Sequence, residues 1–330
     1  INLFVLNLLV YAIMIVVPTI TKTGFNSYNN KEGYGIVGWF YSANEISAIL
    51  TILYPFLFLY LDRKFTVKHC AMIIITIIAI LSIGTKAPYY GMLIITSFLT
   101  IYYLFNIRKK LKQFILVALI IIVSIAVKNY TPANVNLEKR IDCQNDYYNG
   151  TIINNKETGE LECQVADGQK IVMLSGRDVL LKSAYEIYKD SSMVDKFFGI
   201  GFSNREVINN GWISKLVEMD LFDVLFRYGI IGFIIYMLPV GMIIFKVAVT
   251  TFKSKFKLSF EQIIYGYGTA IGIGFGFFIG HVFGAPSVSF YLAFISVFTL
   301  NLFDGIKKKK LNRNKITFLS LHLGVGGIEN

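Results

Sequence analysis

The chain has 330 residues, 55% of them hydrophobic, with 28 Phe and 20 Tyr and a mean hydropathy of +0.57. That balance excludes a water-soluble globular domain as its main body. The formal charge is +11, but Lys and Arg fall between apolar runs, which argues against nucleic acid as a partner and for a lipid bilayer.

The fold class expected is an all-α integral membrane protein. At about 20 largely apolar residues per crossing, eight runs qualify in chain order: 1–20, 43–61, 69–84, 88–106, 113–130, 221–246, 261–281 and 285–303. The third and fifth are short. The implied organisation is five transmembrane helices in 1–129, one large loop over 130–220, three more helices in 221–305, a basic linker over 306–315 and the start of an α/β domain over 316–330.

Orientation follows from the loops. Segments 62–69, 107–113, 246–258 and 307–315 hold 17 of the 32 Lys and Arg, and eight crossings put all four on one side, which the positive-inside rule makes the cytoplasm. Loop 130–220, with 14 acidic against 10 basic residues, is then extracytoplasmic. The expected location is a bacterial cytoplasmic membrane, with the large loop outside and the C-terminus inside.

Of the three cysteines, Cys143 and Cys163 share the large loop, either bonded or free, and Cys70 begins a helix. Their spacing fits no metal cluster, so neither metal nor cofactor is expected. Asn149 opens an N-G-T glycosylation sequon by pattern. The first residue is Ile within an apolar run, which suggests further helices upstream. After the basic linker, residues 316–321 read as a buried strand and Gly324, Gly326 and Gly327 as a glycine loop.

Three clusters on the outer face carry chemistry. In "GWFYSANEIS", Asn44 is placed as an N-cap and Glu45 in the first turn of a helix. Both are candidates for substrate contact as well, and Trp39, Phe40, Tyr41 and Trp212 offer aromatic faces for a sugar or for the membrane interface. In "IGTKAPYYGML", Pro88 fits a helix first turn, and Lys86 beside free helix N–H groups makes an anion site.

The third cluster begins a helix over about 177–189, with Arg177 at its start able to grip a phosphate with two parallel N–H bonds. It ends in "FFGIGFSN" and leads to Glu218 and Asp220 at the mouth of a membrane span. Desolvation there raises a carboxylate toward general-base strength. Asp223 and Arg227, four apart, form an expected structural ion pair. His281, the single histidine expected on the outer face, is a rival base.

Taken together, "GWFYSANEISAIL", "GTKAPYYG", "SGRDVLLKSAYEIYKD…FFGIGF" and "EMDLFDVLFRYGIIGF" resemble the O-antigen ligase and O-antigen polymerase superfamily over about residues 30–303. The resemblance implies a membrane glycosyltransferase that uses an undecaprenyl-pyrophosphate-linked glycan as donor and a polysaccharide or other glycan as acceptor. Family ligases carry a histidine, a polar residue, nine residues, Gly, two residues, then Gly, Thr or Tyr. Read back from Gly229 and Gly232, the histidine position falls on Glu218 and the polar position on Met219. Arg177 matches the family's loop arginine, and Lys86 stands where an arginine is usual. The tail, "KITFLSLHLGVGGIEN", is similar to the first strand and glycine loop of a GT-B glycosyltransferase. A transporter or flippase of lipid-linked oligosaccharide is the rival class, and spans nearly free of charge speak against it.

Overall fold

The computed structural model describes residues 3–28, 34–148, 177–201 and 217–322. Helices occupy all eight expected runs. They are α1 (Leu3–Thr21), α2 (Ala43–Leu53) continuing into α3 (Leu57–Arg63), α4 (Val67–Ser82), α5 (Lys86–Phe105), α6 (Ile107–Ala126), then, after the large loop, α10 (Asp220–Lys253), α11 (Phe260–Phe278) and α12 (Pro286–His322). Within the loop stand α7 (Pro132–Tyr148), α8 (Arg177–Asp190) and α9 (Met193–Phe198).

Among the described residues, five segments are long and apolar enough to cross a membrane: Leu3–Thr21, Ala43–Arg63, Lys86–Phe105, Asp220–Lys253 and Pro286–Asp304. The other three expected crossings fall short for visible reasons. Helix α4 has only 16 residues, α6 opens on Arg108, Lys109, Lys110 and Lys112, and α11 is diluted by five glycines.

Segment α2–α3 is the centre of the bundle, with 83% of its apolar window buried, whereas none of the window in α10 is. The outward side chains of α10, such as Ile234, Ile235 and Leu238, are exposed, as suits a helix that faces lipid. Pro55, which has no N–H to donate, breaks the central segment into two helices through a short turn over Tyr54–Phe56. Ser42, not Asn44, is the N-cap of α2: its hydroxyl accepts from Glu45 N. An S-x-x-E spacing makes Ser42 the better cap, because the hydroxyl reaches the third N–H of the helix.

Both ends of the bundle are polar. At one end Lys110 bridges Asp62 at 3.0 Å, Lys246 bridges Asp304 at 2.6 Å and Gln262 donates to Leu302 O. At the other, β1 (Phe25–Asn26) and β2 (Ile36–Gly38) form a small antiparallel hairpin. Asn136 of α7 ties this hairpin to the α4–α5 turn: it accepts from Tyr34 N and donates to Tyr34 O and Gly84 O.

The expected strand over residues 316–321 is absent: α12 runs unbroken to His322. A lone strand needs a ladder partner, and the strands among the described residues are those of the hairpin. The Lys-rich stretch before it is a good helix former that satisfies its backbone internally. The glycine loop beyond, the pairing of Cys143 with Cys163, the Asn149 sequon and Trp212 lie outside the described residues, and Cys70 is a free thiol.

Helix α10 breaks at Gly229, whose φ is +66°. The break exposes the carbonyls of Phe226 and Arg227, which accept from Ile200 N and Gly201 N at 3.0 and 3.1 Å. Backbone meets backbone here, since a Cβ on Gly199 would lie 1.9 Å from Arg227 O and one on Gly229 2.5 Å from Phe197 O. Gly229→Ala is expected to lower the thermal unfolding midpoint in detergent and to open α8–α9 to protease, with about 1–3 kcal/mol from backbone strain alone.

Candidate functional site

A cavity of about 590 Å³ opens at the hairpin end of the bundle. Its wall gathers residues from distant parts of the chain: Asn44 from α2, Thr85 and Lys86 at the start of α5, Asn136 from α7, Arg177 from α8 and Glu218 just before α10. Phe275 and Ile279 give it an apolar side. Thr85 is fixed by a 2.6 Å hydroxyl bond to Ser47, which sets where Lys86 begins its helix.

Arg177 and Glu218 meet inside this cavity. Nη2 lies 3.3 Å from Oε2, and the side chains are only 11% and 18% exposed. Arg177 is the first residue of α8, and Leu181, Ala184 and Tyr188 on the same helix pack against Val217, Met219 and Phe226. The apolar stripe of α8 thus delivers the guanidinium to the carboxylate. Tyr188 also donates to Lys196 O at 2.9 Å, and its burial raises its phenol above the ordinary range.

The backbone around Glu218 is strained. Glu218 has φ +60° and His281 has φ +59°, both in the left-handed region. Such residues cost free energy and persist where their surroundings fix them. Gly280, with φ +72°, lies against Glu218: a Cβ there would sit 2.2 Å from the Glu218 carbonyl oxygen. The two segments are therefore in backbone contact, and His281 Nε2 lies 3.9 Å from Glu218 Oε2.

Asp220 explains how this strain is held. Its carboxylate is 6% exposed and accepts three backbone N–H bonds, from His281 at 3.0 Å, Val282 at 2.7 Å and Phe283 at 2.6 Å. Bonds to an ionised acceptor are the stronger kind. A carboxylate so engaged organises the loop, with Oδ1 accepting one amide and Oδ2 two. Tyr236 adds a fourth tie by donating to Phe283 O at 3.0 Å.

The other expected residues divide clearly. Lys86 and Asn44 line the cavity, whereas Glu45 accepts from the Ser287 hydroxyl and links α2 to the start of α12. His281 is not a lining residue. Asp223 accepts from Val217 N at 3.1 Å, and Arg227 is a nearby charge that favours its ionised form. The aromatic candidates diverge as well: Tyr41 lines the cavity, Phe40 packs on Tyr11 and Trp39 donates to Thr23.

Asn136 was not legible as a site residue. An Asn near the start of a polar helix carries no signal beyond its type, and its role comes from the hairpin it grips. Among the described residues no group of three or more His, Cys, Asp or Glu stands together as a metal site.

Fold and site define a multi-pass helical membrane protein with a polar cavity at one end, carrying cations and one facing carboxylate. The family model for O-antigen ligase like membrane proteins matches residues 1–303, and the chain belongs to that family. No curated protein and no solved structure matches it. Membership gives glycosyl transfer in glycan assembly as the general activity, with lipid-linked glycans as the substrate class.

The clamp is directly testable. In Asp220→Asn one acceptor oxygen becomes a donor that opposes the loop amides, and each lost charged bond is worth about 1.5–3 kcal/mol. Hydrogen exchange at His281, Val282 and Phe283 is expected to accelerate at least tenfold, while α4 and α5 amides keep their protection.

Proposed function

We propose that this protein transfers or polymerises an undecaprenyl-pyrophosphate-linked glycan at the outer face of a bacterial cytoplasmic membrane. The observation that carries the reading is the meeting of Arg177 and Glu218, 41 residues apart in sequence, inside the cavity that Lys86 also lines. A phosphate-binding cation and a carboxylate base are the two groups this reaction needs. Sidedness rests on the basic loops, which lie at the opposite end of the bundle and favour the cytoplasm. On this reading all eight helices cross the bilayer, and the site faces away from the cytoplasm.

Arg177 and Lys86 hold the pyrophosphate and stabilise the charge that grows on it as the sugar–phosphate bond breaks. Glu218 takes the proton of the acceptor hydroxyl as its oxygen attacks the anomeric carbon. The bonding pair leaves on the pyrophosphate, which stays attached to the lipid. In the resting site Arg177 and Glu218 neutralise each other. Pyrophosphate, the stronger anion for a forked guanidinium, displaces the carboxylate and makes it available as the base. Donor binding therefore precedes acceptor activation.

The full-length protein, reconstituted with an undecaprenyl-pyrophosphate-linked repeat unit, is expected to give a ladder of products on a gel. Glu218→Gln should lower kcat by about 10²- to 10⁴-fold, and Arg177→Lys should raise the donor KM because the fork is lost. Glu218→His should keep more activity than Glu218→Gln, since histidine is a base and tolerates a positive φ better than most side chains. Lipid-linked substrate crossing the bilayer with no product formed would replace the transferase reading with a flippase.

A further inference from the structure

We propose that His281 is the proton-accepting partner of Glu218, taking from it the proton that the acceptor hydroxyl gives up. The inference rests on the reading of Glu218 as base and adds where its proton goes. Three observations converge on it. Nε2 of His281 lies 3.9 Å from Glu218 Oε2, too far for a hydrogen bond and close enough for a small shift to make one. That nitrogen is buried and has no hydrogen-bond partner among the described residues, an uncommon state for a polar group. The backbone beneath it is held at φ +59° by the Asp220 carboxylate, so the ring is presented at some cost in strain.

The position of His281 outside the cavity lining makes it a second carrier rather than the first base. A hydroxyl in the cavity meets Glu218, and Glu218 stands between it and the imidazole. The sequence of events balances. The acceptor O–H bond breaks as its oxygen bonds the anomeric carbon, and the proton lands on Glu218. The bond from that carbon to the donor phosphate breaks with its electron pair on the pyrophosphate. The proton then moves from Glu218 to Nε2 of a neutral His281, which restores the carboxylate for the next turnover and later releases the proton to solvent.

Among the described residues, five charged or titratable groups bear on the imidazole. Glu218 faces it, Arg177 stands behind Glu218, Asp220 holds its backbone N–H, Tyr236 ties the same loop at Phe283, and Glu45 is bound to Ser287 on the following helix. His281 must be neutral to accept.

The test uses the reconstituted full-length protein with an undecaprenyl-pyrophosphate-linked repeat unit, comparing wild type with His281→Asn and His281→Gly. Asn and Gly both accept a positive φ, so neither variant disturbs the loop for steric reasons. Both are expected to lower kcat about 10- to 100-fold with the donor KM within twofold. Added imidazole is expected to restore much of the His281→Gly rate. Unchanged kcat in both variants would overturn the relay and leave the transferase reading standing. A loss that appears as a raised donor KM at every pH, with no rescue by imidazole, would also overturn it, because His281 would then be structural. Wild type that forms no product with the lipid-linked donor would remove the transferase reading itself and the relay with it.

Discussion

The carboxylate of Asp220 is the constraint on which the candidate site depends. It is buried, and it accepts the N–H groups of three consecutive residues, His281, Val282 and Phe283, that lie 61 to 63 positions further along the chain. Those bonds draw the α11–α12 connection down onto the start of α10 until Gly280 touches the Glu218 carbonyl. Two residues, Glu218 and His281, are thereby held in the left-handed region at about 1–3 kcal/mol each, which three charged hydrogen bonds of about 1.5–3 kcal/mol are able to offset. Without the carboxylate, Arg177 on Glu218 and Tyr236 on Phe283 are the side-chain ties described above that remain.

A second constraint works from the other side. The break at Gly229 stops α10 from satisfying the carbonyls of Phe226 and Arg227, and the Ile200–Gly201 backbone takes them up. That junction seats α9, and α8 before it lays its apolar stripe on Val217, Met219 and Phe226. Arg177 reaches Glu218 because of this chain of contacts. The paired glycines at 229 and 232 therefore have different work: the first makes a backbone junction, while the second sits one turn on in ordinary helix.

The apolar runs marked the eight helices of the bundle, because length and apolar content survive in any environment, whereas the 17-residue polar helix α7 carries no such run. Polarity at helix ends was harder to read. Ser42 and Asn44 are both good caps, and only the distance to Glu45 separates them. Residues 316–321 are too short an apolar run for period alone to distinguish strand from helix. Arg177, Lys86 and Glu218 were legible one by one as charged groups beside apolar segments, but their convergence depends on loop paths that no local pattern encodes. Asp220 shows the same limit in reverse: the sequence reveals a carboxylate entering an apolar environment, and says nothing of the three amides waiting for it.

The hairpin and the α4–α5 turn, locked together by Asn136, form one wall of the cavity, and Arg177, Glu218, Phe275 and Ile279 form the other. One wall is complete by about residue 136, and the other needs α10 and α11. A chain that enters a membrane from its N-terminus thus carries half a cavity, with Lys86 and Asn44 in place, until those helices are made. The opposing carboxylate arrives only with the later helices, and the clamp on its neighbouring loop closes last.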